Sequence, residues 1–242
     1  MALLDEAFAG IDEAKSKAEA NAGNILAIFE AKLHQIFVNP GPEWKENALD
    51  ELGIITSSKR IFKSEYVAEG VPFYRTKEIK QLANGREITT ELFISDSRYC
   101  EIEKDYGVPI QGDILLTAIG TIGEIWVVEG KEKFYFKDGN VLWLKHFTSI
   151  KPQFLRFALI SFVESLNKLA HGSTYSALPI QRLKEHRISL PSLEEQVEIV
   201  KMLESLNCDV RRIAYVQERK LTNLNELKSS ILSQAFAGEL TV

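Results

Sequence analysis

Two carboxylates and a lysine stand where a magnesium-dependent nuclease could hold its metal. Asp113 precedes an apolar stretch typical of a strand, and Glu129 and Lys131 follow another such stretch. Carboxylate oxygens bind magnesium, and the bound ion can assist phosphodiester hydrolysis. The context argues against this chemistry, because Asp113 ends a Gln-Gly-Asp turn and Glu129 opens the run EGKEK, which is typical of a hairpin turn. A metal-dependent nuclease centred on these three residues stays an alternative hypothesis.

Other catalytic and metal-binding patterns are weaker. A methyltransferase that acts on adenine needs a Pro-Pro-aromatic motif and a glycine-rich cofactor loop, whereas the nearest match, NPGP at Asn39, follows a helical stretch and reads as a helix stop. The Gly-Thr-Ile-Gly run at Gly120 is more typical of a turn than of a phosphate site. The histidines and the two cysteines, Cys100 and Cys208, lack metal-ligand spacing. We therefore expect no catalytic residue, no metal and no cofactor bound by this chain.

Basic and hydroxyl residues in the middle of the chain could contact the phosphates or base edges of a nucleic acid. The stretch from Ser57 to Arg86 holds seven basic and three acidic residues, although the whole chain has a net charge of −5. Basic side chains bind phosphates, arginine also reads guanine, and hydroxyls in loops contact phosphates or base edges. The predicted contacts are Lys59, Arg60, Lys63, Arg75, Lys77, Arg86, Ser173, Thr174 and Tyr175.

An α+β domain must position these residues. Short β-branched and aromatic runs such as DILLTAI and VLWLK are separated by Gly-Asp, Asn-Gly and Asp-Gly turns, and helical spacing follows from Lys151 to Ala170. We place one mixed α+β domain at residues 41–191, between an N-terminal helix at 1–38 and a C-terminal helix at 192–238.

The C-terminal segment predicts a long coiled-coil helix. Its apolar residues recur every 3.5 residues over 42 residues, with Gln217 as the one polar member, and Ser192 can cap the helix start. At 1.5 Å per residue such a helix is about 65 Å long and needs a partner. The predicted interface residues are Val200, Leu203, Leu206, Val210, Ile213, Leu221, Leu224, Leu227 and Ile231.

The sequence shows neither an export signal nor an apolar run of the roughly 18 residues that a membrane helix requires. Two cysteines far apart favour reduced thiols. We therefore expect a cytoplasmic protein.

Several stretches resemble one family. LPSLEEQVEIVKMLESL at Leu190–Leu206 and LKSSILSQAFAGEL at Leu227–Leu240 resemble the C-terminal conserved region of type I restriction-modification specificity subunits. Other recurring parts of that family are resembled by the segment ending FEAKLHQIFVNPGPEWKENALDELG and by the stretches VPFYRTKEI, QGDILLTAIGTIGEI and GSTYSALPIQRLKEHRISLP.

The resemblance implies a DNA-recognition subunit without catalysis. Full-length members carry two recognition domains, whereas this chain has room for one. The resemblance therefore implies a homodimer in which antiparallel long helices separate two domains that read a bipartite target, burying the apolar stripe that one copy leaves exposed. It further implies adenine-N6 methyltransferase subunits, which use S-adenosylmethionine, and a restriction motor subunit as partners. A coiled-coil scaffold that binds protein stays a further alternative, since the middle domain has no net charge.

Overall fold

The computed structural model describes residues 2–120, 122–169 and 177–237. The chain combines helices with sheets between two long terminal helices, which confirms the predicted α+β class. It divides into two compact units: a helical unit formed by Met1–Gln35 and Lys201–Val242, and a mixed unit formed by Ile36–Val200.

The helical unit consists of two long helices, α1 at Ala2–Val38 and α7 at Leu193–Phe236, whose inner ends belong to the mixed unit. The Lys228 amine lies 2.7 Å from the Asp12 carboxylate, so the end of α7 lies beside the start of α1 and the helices run antiparallel. Leu203 and Val210 are buried on α7, seven residues apart, as are Ile11 and Ala18 on α1. This spacing is the seven-residue repeat of paired helices.

The first turn of α7 carries the predicted cap. The Ser192 hydroxyl accepts a hydrogen bond from the backbone N–H of Glu195 at 3.2 Å. Glu194 and Glu195 place negative charge in the first turn, which favours a helix N-terminus.

Three sheets form the mixed unit. Its strands are β1 at Lys45–Ala48, β2 at Ile54–Thr56, β3 at Tyr66–Val67, β4 at Val71–Tyr74, β5 at Phe93–Ile94, β6 at Ile114–Thr117, β7 at Ile125–Val127, β8 at Tyr135–Phe136, β9 at Val141–Lys145 and β10 at Arg187–Leu190. Strand β1 pairs with β10, the order β2-β9-β6-β7 forms an antiparallel sheet, and the order β3-β5-β4-β8 forms a sheet in which β4 and β8 are parallel.

The shorter helices cover these sheets. They are α2 at Leu49–Leu52, α3 at Thr76–Ala83, α4 at Asp96–Asp105, α5 at Pro152–Leu169 and α6 at Ile180–Lys184, with a 3-10 turn at Lys63–Glu65. Helix α5 packs on β7, and α3 packs on β6 and β7. Tyr99 and Ile102 of α4 pack with Phe73 and Tyr135 in one of the hydrophobic clusters of the mixed unit.

The central strands β6 and β9 are buried on both faces. Ile114 and Leu116 join the core that includes α5, whereas Leu115 and Trp143 join a separate core with Phe136 of β8. Two buried faces explain why these strands read as continuous apolar runs.

The EGKEK run is not a hairpin turn. It connects β7, which pairs with β6, to β8, which pairs with β4 in a different sheet. The prediction of a hairpin here is wrong because a turn composition does not determine which strand the chain joins next.

Candidate nucleic-acid interface

Lys59, Arg60 and Lys63 follow β2 on one surface segment. The backbone N–H of Lys59 donates to the Tyr135 hydroxyl at 2.7 Å, and the Arg60 Nε donates to the Asp138 carboxylate at 2.7 Å. Burial raises the pKa of Tyr135 to about 12, so that its hydroxyl keeps its proton. All three basic side chains are exposed. Their charges can therefore reach a phosphate, and their DNA contacts stay predictions.

Arg75 and Lys77 belong to an ion-pair network at the start of α3. The Arg75 guanidinium lies 2.7 Å from the buried Glu78 carboxylate and 2.8 Å from Glu91, and the Lys77 amine lies 3.0 Å from Glu91. Hydrogen bonds to Glu78 and then Glu91 raise the pKa of Arg75. Burial opposes ionisation of Glu78, but its hydrogen bonds from Arg75 prevail and its pKa is lowered. Arg75 thus fixes the start of α3, a role that the sequence did not indicate.

Arg86 lies at the other end of α3, in a turn with defined geometry. Its backbone N–H donates to the Gln81 carbonyl at 2.9 Å, and the Gly85 N–H donates to the Leu82 carbonyl at 3.0 Å. Gly85 has a φ of +65°, as this helix cap requires. The exposed Arg86 side chain lines a polar cleft beside α3.

The six predicted basic contacts therefore occupy two segments, the one after β2 and the one formed by α3 with its C-terminal turn. The predicted hydroxyl contacts Ser173, Thr174 and Tyr175 lie outside the described residues.

The predicted interface stripe of α7 is largely covered within the chain. Leu203 and Val210 are buried, and Leu206, Leu221, Leu224 and Ile231 are partly buried. Val200 packs on the core of the mixed unit instead. The expectation that one copy leaves this stripe exposed is wrong for all its residues except Ile213 and Leu227, because α1 of the same chain pairs with α7.

Some apolar residues of the long helices are exposed, including two members of the predicted stripe. Two members of the predicted stripe, Ile213 and Leu227, are 37% and 48% exposed, and Val216 is 54% exposed. Leu26 and Ile28 of α1 are 51% and 58% exposed. Ile213, Val216 and Leu227 lie on one face of α7, and exposed apolar side chains on one helix face are typical of a site that binds another protein.

Asp113 has a structural role. Its carboxylate is buried and accepts hydrogen bonds from the Trp143 indole at 2.8 Å and from the backbone N–H of Ile110 at 3.0 Å. Burial raises the pKa of Asp113, although the two hydrogen bonds act to lower it. Glu129 and Lys131 are exposed, and no group of three His, Cys, Asp or Glu residues in the described ranges could hold a metal ion. This arrangement does not favour the nuclease hypothesis.

Gln196 is a buried polar residue that sequence reasoning missed. Its Oε1 accepts from the backbone N–H of Lys151 at 2.8 Å, and its Nε2 donates to the carbonyls of Ser149 and Pro191 at 3.2 Å each. It therefore ties the first turn of α7 to the segment before α5. A glutamine in the charged first turn of a helix gives no sequence signal of burial.

No helix in the described ranges is long and apolar enough to cross a membrane.

The chain is similar in sequence to one known family and to curated proteins. The family model described as the type I restriction modification DNA specificity domain matches residues 42–213. A putative type I restriction enzyme specificity subunit from Haemophilus influenzae is 32% identical over 158 residues, which cover 64% of this chain and 38% of that protein. The EcoBI specificity subunit of Escherichia coli is 28% identical over 181 residues, which cover 72% of this chain and 36% of that protein.

Solved structures share the fold. One chain, from a study of complex assembly and conformational transition in a type I R-M system, matches with a TM-score of 0.80 and 22% identity, over 99% of this chain and 58% of its own length. The HsdS subunit from Thermoanaerobacter tengcongensis matches with a TM-score of 0.66 and 22% identity, over 99% of this chain and 57% of its own length. The matches thus span 36–38% of the two curated relatives and 57–58% of the two solved chains.

Proposed function

Since the chain belongs to the type I restriction-modification DNA specificity family, we propose that it recognises a DNA sequence on behalf of partner enzymes and has no catalytic activity of its own. The observation that carries this proposal is the family match over residues 42–213, which spans most of the mixed unit and the first half of α7. The structural role of Asp113 is consistent with a chain that lacks a nuclease centre.

We propose that two copies pair through their long helices. In such a pair, each copy would supply one recognition domain. The exposed residues Ile213, Val216 and Leu227 on one face of α7 offer apolar surface for this contact. Because α1 and α7 already cover each other, the contact joins two helix pairs rather than two single helices.

Pairing of this kind determines the form of the target. A two-fold symmetric dimer reads a palindromic, bipartite sequence in the major groove, with a spacer whose sequence is not read. The 44 residues of α7 give a helix of about 66 Å. If this helix sets the distance between the two recognition domains, that distance corresponds to roughly 19 base pairs at 3.4 Å each.

The partners are proposed to be adenine-N6 methyltransferase subunits and a restriction motor subunit. S-adenosylmethionine would then bind to the methyltransferase and not to this chain. Cys100 and Cys208 are exposed free thiols, which persist in a reducing compartment, so we propose a cytoplasmic location.

Two measurements test the function. The purified chain is combined with a type I methyltransferase subunit, and transfer of labelled methyl groups to DNA is followed by sequencing of the methylated sites. We expect one bipartite palindromic motif, methylated only when this chain is present. Methyl transfer to no defined motif in the presence of both components would refute DNA recognition.

Light scattering tests the pairing. We expect twice the chain mass of 27.4 kDa. Ile213→Glu combined with Leu227→Glu should give a monomer, whereas Glu218→Lys, at an exposed polar position of the same helix, should stay dimeric. A wild-type monomer over the whole concentration range would refute the dimer.

A further inference from the structure

An open polar cleft of about 410 Å³ lies along the exposed side of α3. Its lining includes Lys77, Lys80, Gln81, Asn84, Arg86 and Glu124. These charged and amide groups are the kinds of side chain that bind base edges and phosphates, and no large apolar residue is among the described residues that line the cleft. The composition therefore favours a nucleic acid over an apolar small molecule.

The charge balance of the cleft is positive. Three basic residues face one carboxylate, that of Glu124. This carboxylate is already engaged, because it lies 3.4 Å from the Lys80 amine and accepts a hydrogen bond from the Asn84 amide at 2.8 Å. The Asn84 amide also donates to the Lys80 carbonyl at 2.8 Å. Lys80, Asn84 and Glu124 thus form a bonded network on one side of the cleft.

Two side chains of the cleft, those of Gln81 and Arg86, form no hydrogen bond or ion pair with another side chain in the described ranges. The Gln81 amide and the Arg86 guanidinium have no side-chain partner within the described ranges, whereas Arg75 and Lys77 nearby are both paired with Glu91. The backbone N–H of Arg86 is bonded to the Gln81 carbonyl, so the two residues are held next to each other. Within the described ranges, an amide and a guanidinium without side-chain partners therefore line the same cleft on residues joined by a backbone hydrogen bond.

We infer that the cleft beside α3 is a base-reading site, in which Gln81 and Arg86 contact two bases of each half-target in the major groove. This inference rests on the proposed function and deepens it, since it assigns the readout to particular residues. A glutamine amide can donate to N7 or accept from N6 of adenine, and an arginine guanidinium donates to both O6 and N7 of guanine. An α-helix with its side chains is about 10–12 Å in diameter and fits the major groove, which is about 12 Å wide.

The test uses the complex of this chain with its methyltransferase and sequencing of methylated sites. Arg86→Ala should relax the motif at one position of each half-site, with a loss of discrimination of about 5- to 150-fold, and Gln81→Ala should relax a second position by a similar factor. Arg86→Lys keeps the positive charge but lacks the two-pronged geometry, so it should relax the same position as Arg86→Ala.

Matched measurements keep the test decisive. Lys104→Ala removes an exposed positive charge from the last turn of α4 and should leave the motif unchanged. Binding of the complex to the target duplex and to its single-base variants is measured in parallel, in case a variant methylates too little DNA to define a motif. An unchanged motif and unchanged ranking of duplexes in the Arg86 and Gln81 variants would overturn the inference, even if overall affinity falls. Absence of any motif with the wild-type chain would instead refute the proposed function.

Discussion

Replacing Gln196 by alanine should strongly destabilise the mixed unit. The Gln196 side chain is fully buried and makes three hydrogen bonds, to Lys151, Ser149 and Pro191. A net contribution of about 1 kcal/mol from each bond gives a loss of about 3 kcal/mol, and the backbone groups left without partners act in the same direction. This loss corresponds to a roughly 150-fold larger unfolding constant.

Urea unfolding followed by tryptophan fluorescence measures this loss selectively. All three tryptophans, Trp44, Trp126 and Trp143, lie within Ile36–Val200. The matched control is Glu195→Ala, at the exposed neighbouring position. This change removes one hydrogen bond of 3.2 Å from the Trp44 indole, so the free energy of unfolding should fall by about 1 kcal/mol or less.

Hydrogen exchange adds a local measurement. The Lys151 backbone N–H donates to Gln196, so it should exchange faster in Gln196→Ala and not in Glu195→Ala. A destabilisation no larger than that of the control, with unchanged exchange at Lys151, would show that the three bonds do not hold α7 to the segment before α5.

Three further predictions concern stability. Burial lowers the pKa of His186 from 6.5 to about 4, so the folded state resists protonation and the free energy of unfolding should fall by about 2 kcal/mol between pH 7 and pH 5. Urea midpoints at the two pH values should show this loss for the wild type and not for His186→Phe. Gly123→Ala should destabilise by about 2–3 kcal/mol in thermal unfolding, because φ is +93° and a Cβ atom would lie 2.5 Å from a methyl carbon of Val163. Gly139→Ala, with φ of +77° and no atom within 4 Å, is the control and should cost about 1 kcal/mol. Gln217→Leu should stabilise the helical unit by about 1 kcal/mol in circular dichroism melts, because the buried Gln217 side-chain oxygen has no hydrogen-bond partner in the described ranges.

Each of these predictions has a contrary result. An equal pH dependence in the wild type and His186→Phe would mean that other groups account for the acid loss. Equal destabilisation by Gly123→Ala and its control would show that Val163 moves aside without cost. A lower melting temperature for Gln217→Leu would indicate that the amide has a partner in the paired protein.

The sequence predicted the long helices well because their signal is local and repeated. An apolar residue every 3.5 positions defines α7, and Ser192 marks its start through a bond to a residue three positions away. The mixed helix and strand content followed from apolar runs and turn residues of the same kind. The family resemblance rests on motifs that lie along the chain in order.

The sequence could not predict contacts between residues that are distant along the chain. The sequence predicts Arg75 as a DNA contact but does not show that its guanidinium donates to Glu78 and to Glu91, which lies 16 residues away. The run EGKEK had the composition of a hairpin, although the next strand pairs with β4 of another sheet.

The tertiary structure alone decided which polar groups are buried and which are free. Gln196 and Lys151 meet across 45 residues, and Trp143 reaches Asp113 across 30. The apolar stripe of α7 predicted a helix partner, and the fold showed that α1 of the same chain is one such partner. The periodicity of apolar residues indicates which face of a helix or strand is buried. It does not indicate the partner, because the partner depends on how the chain folds in three dimensions. Residues far apart in sequence meet where both burial and hydrogen bonding are satisfied.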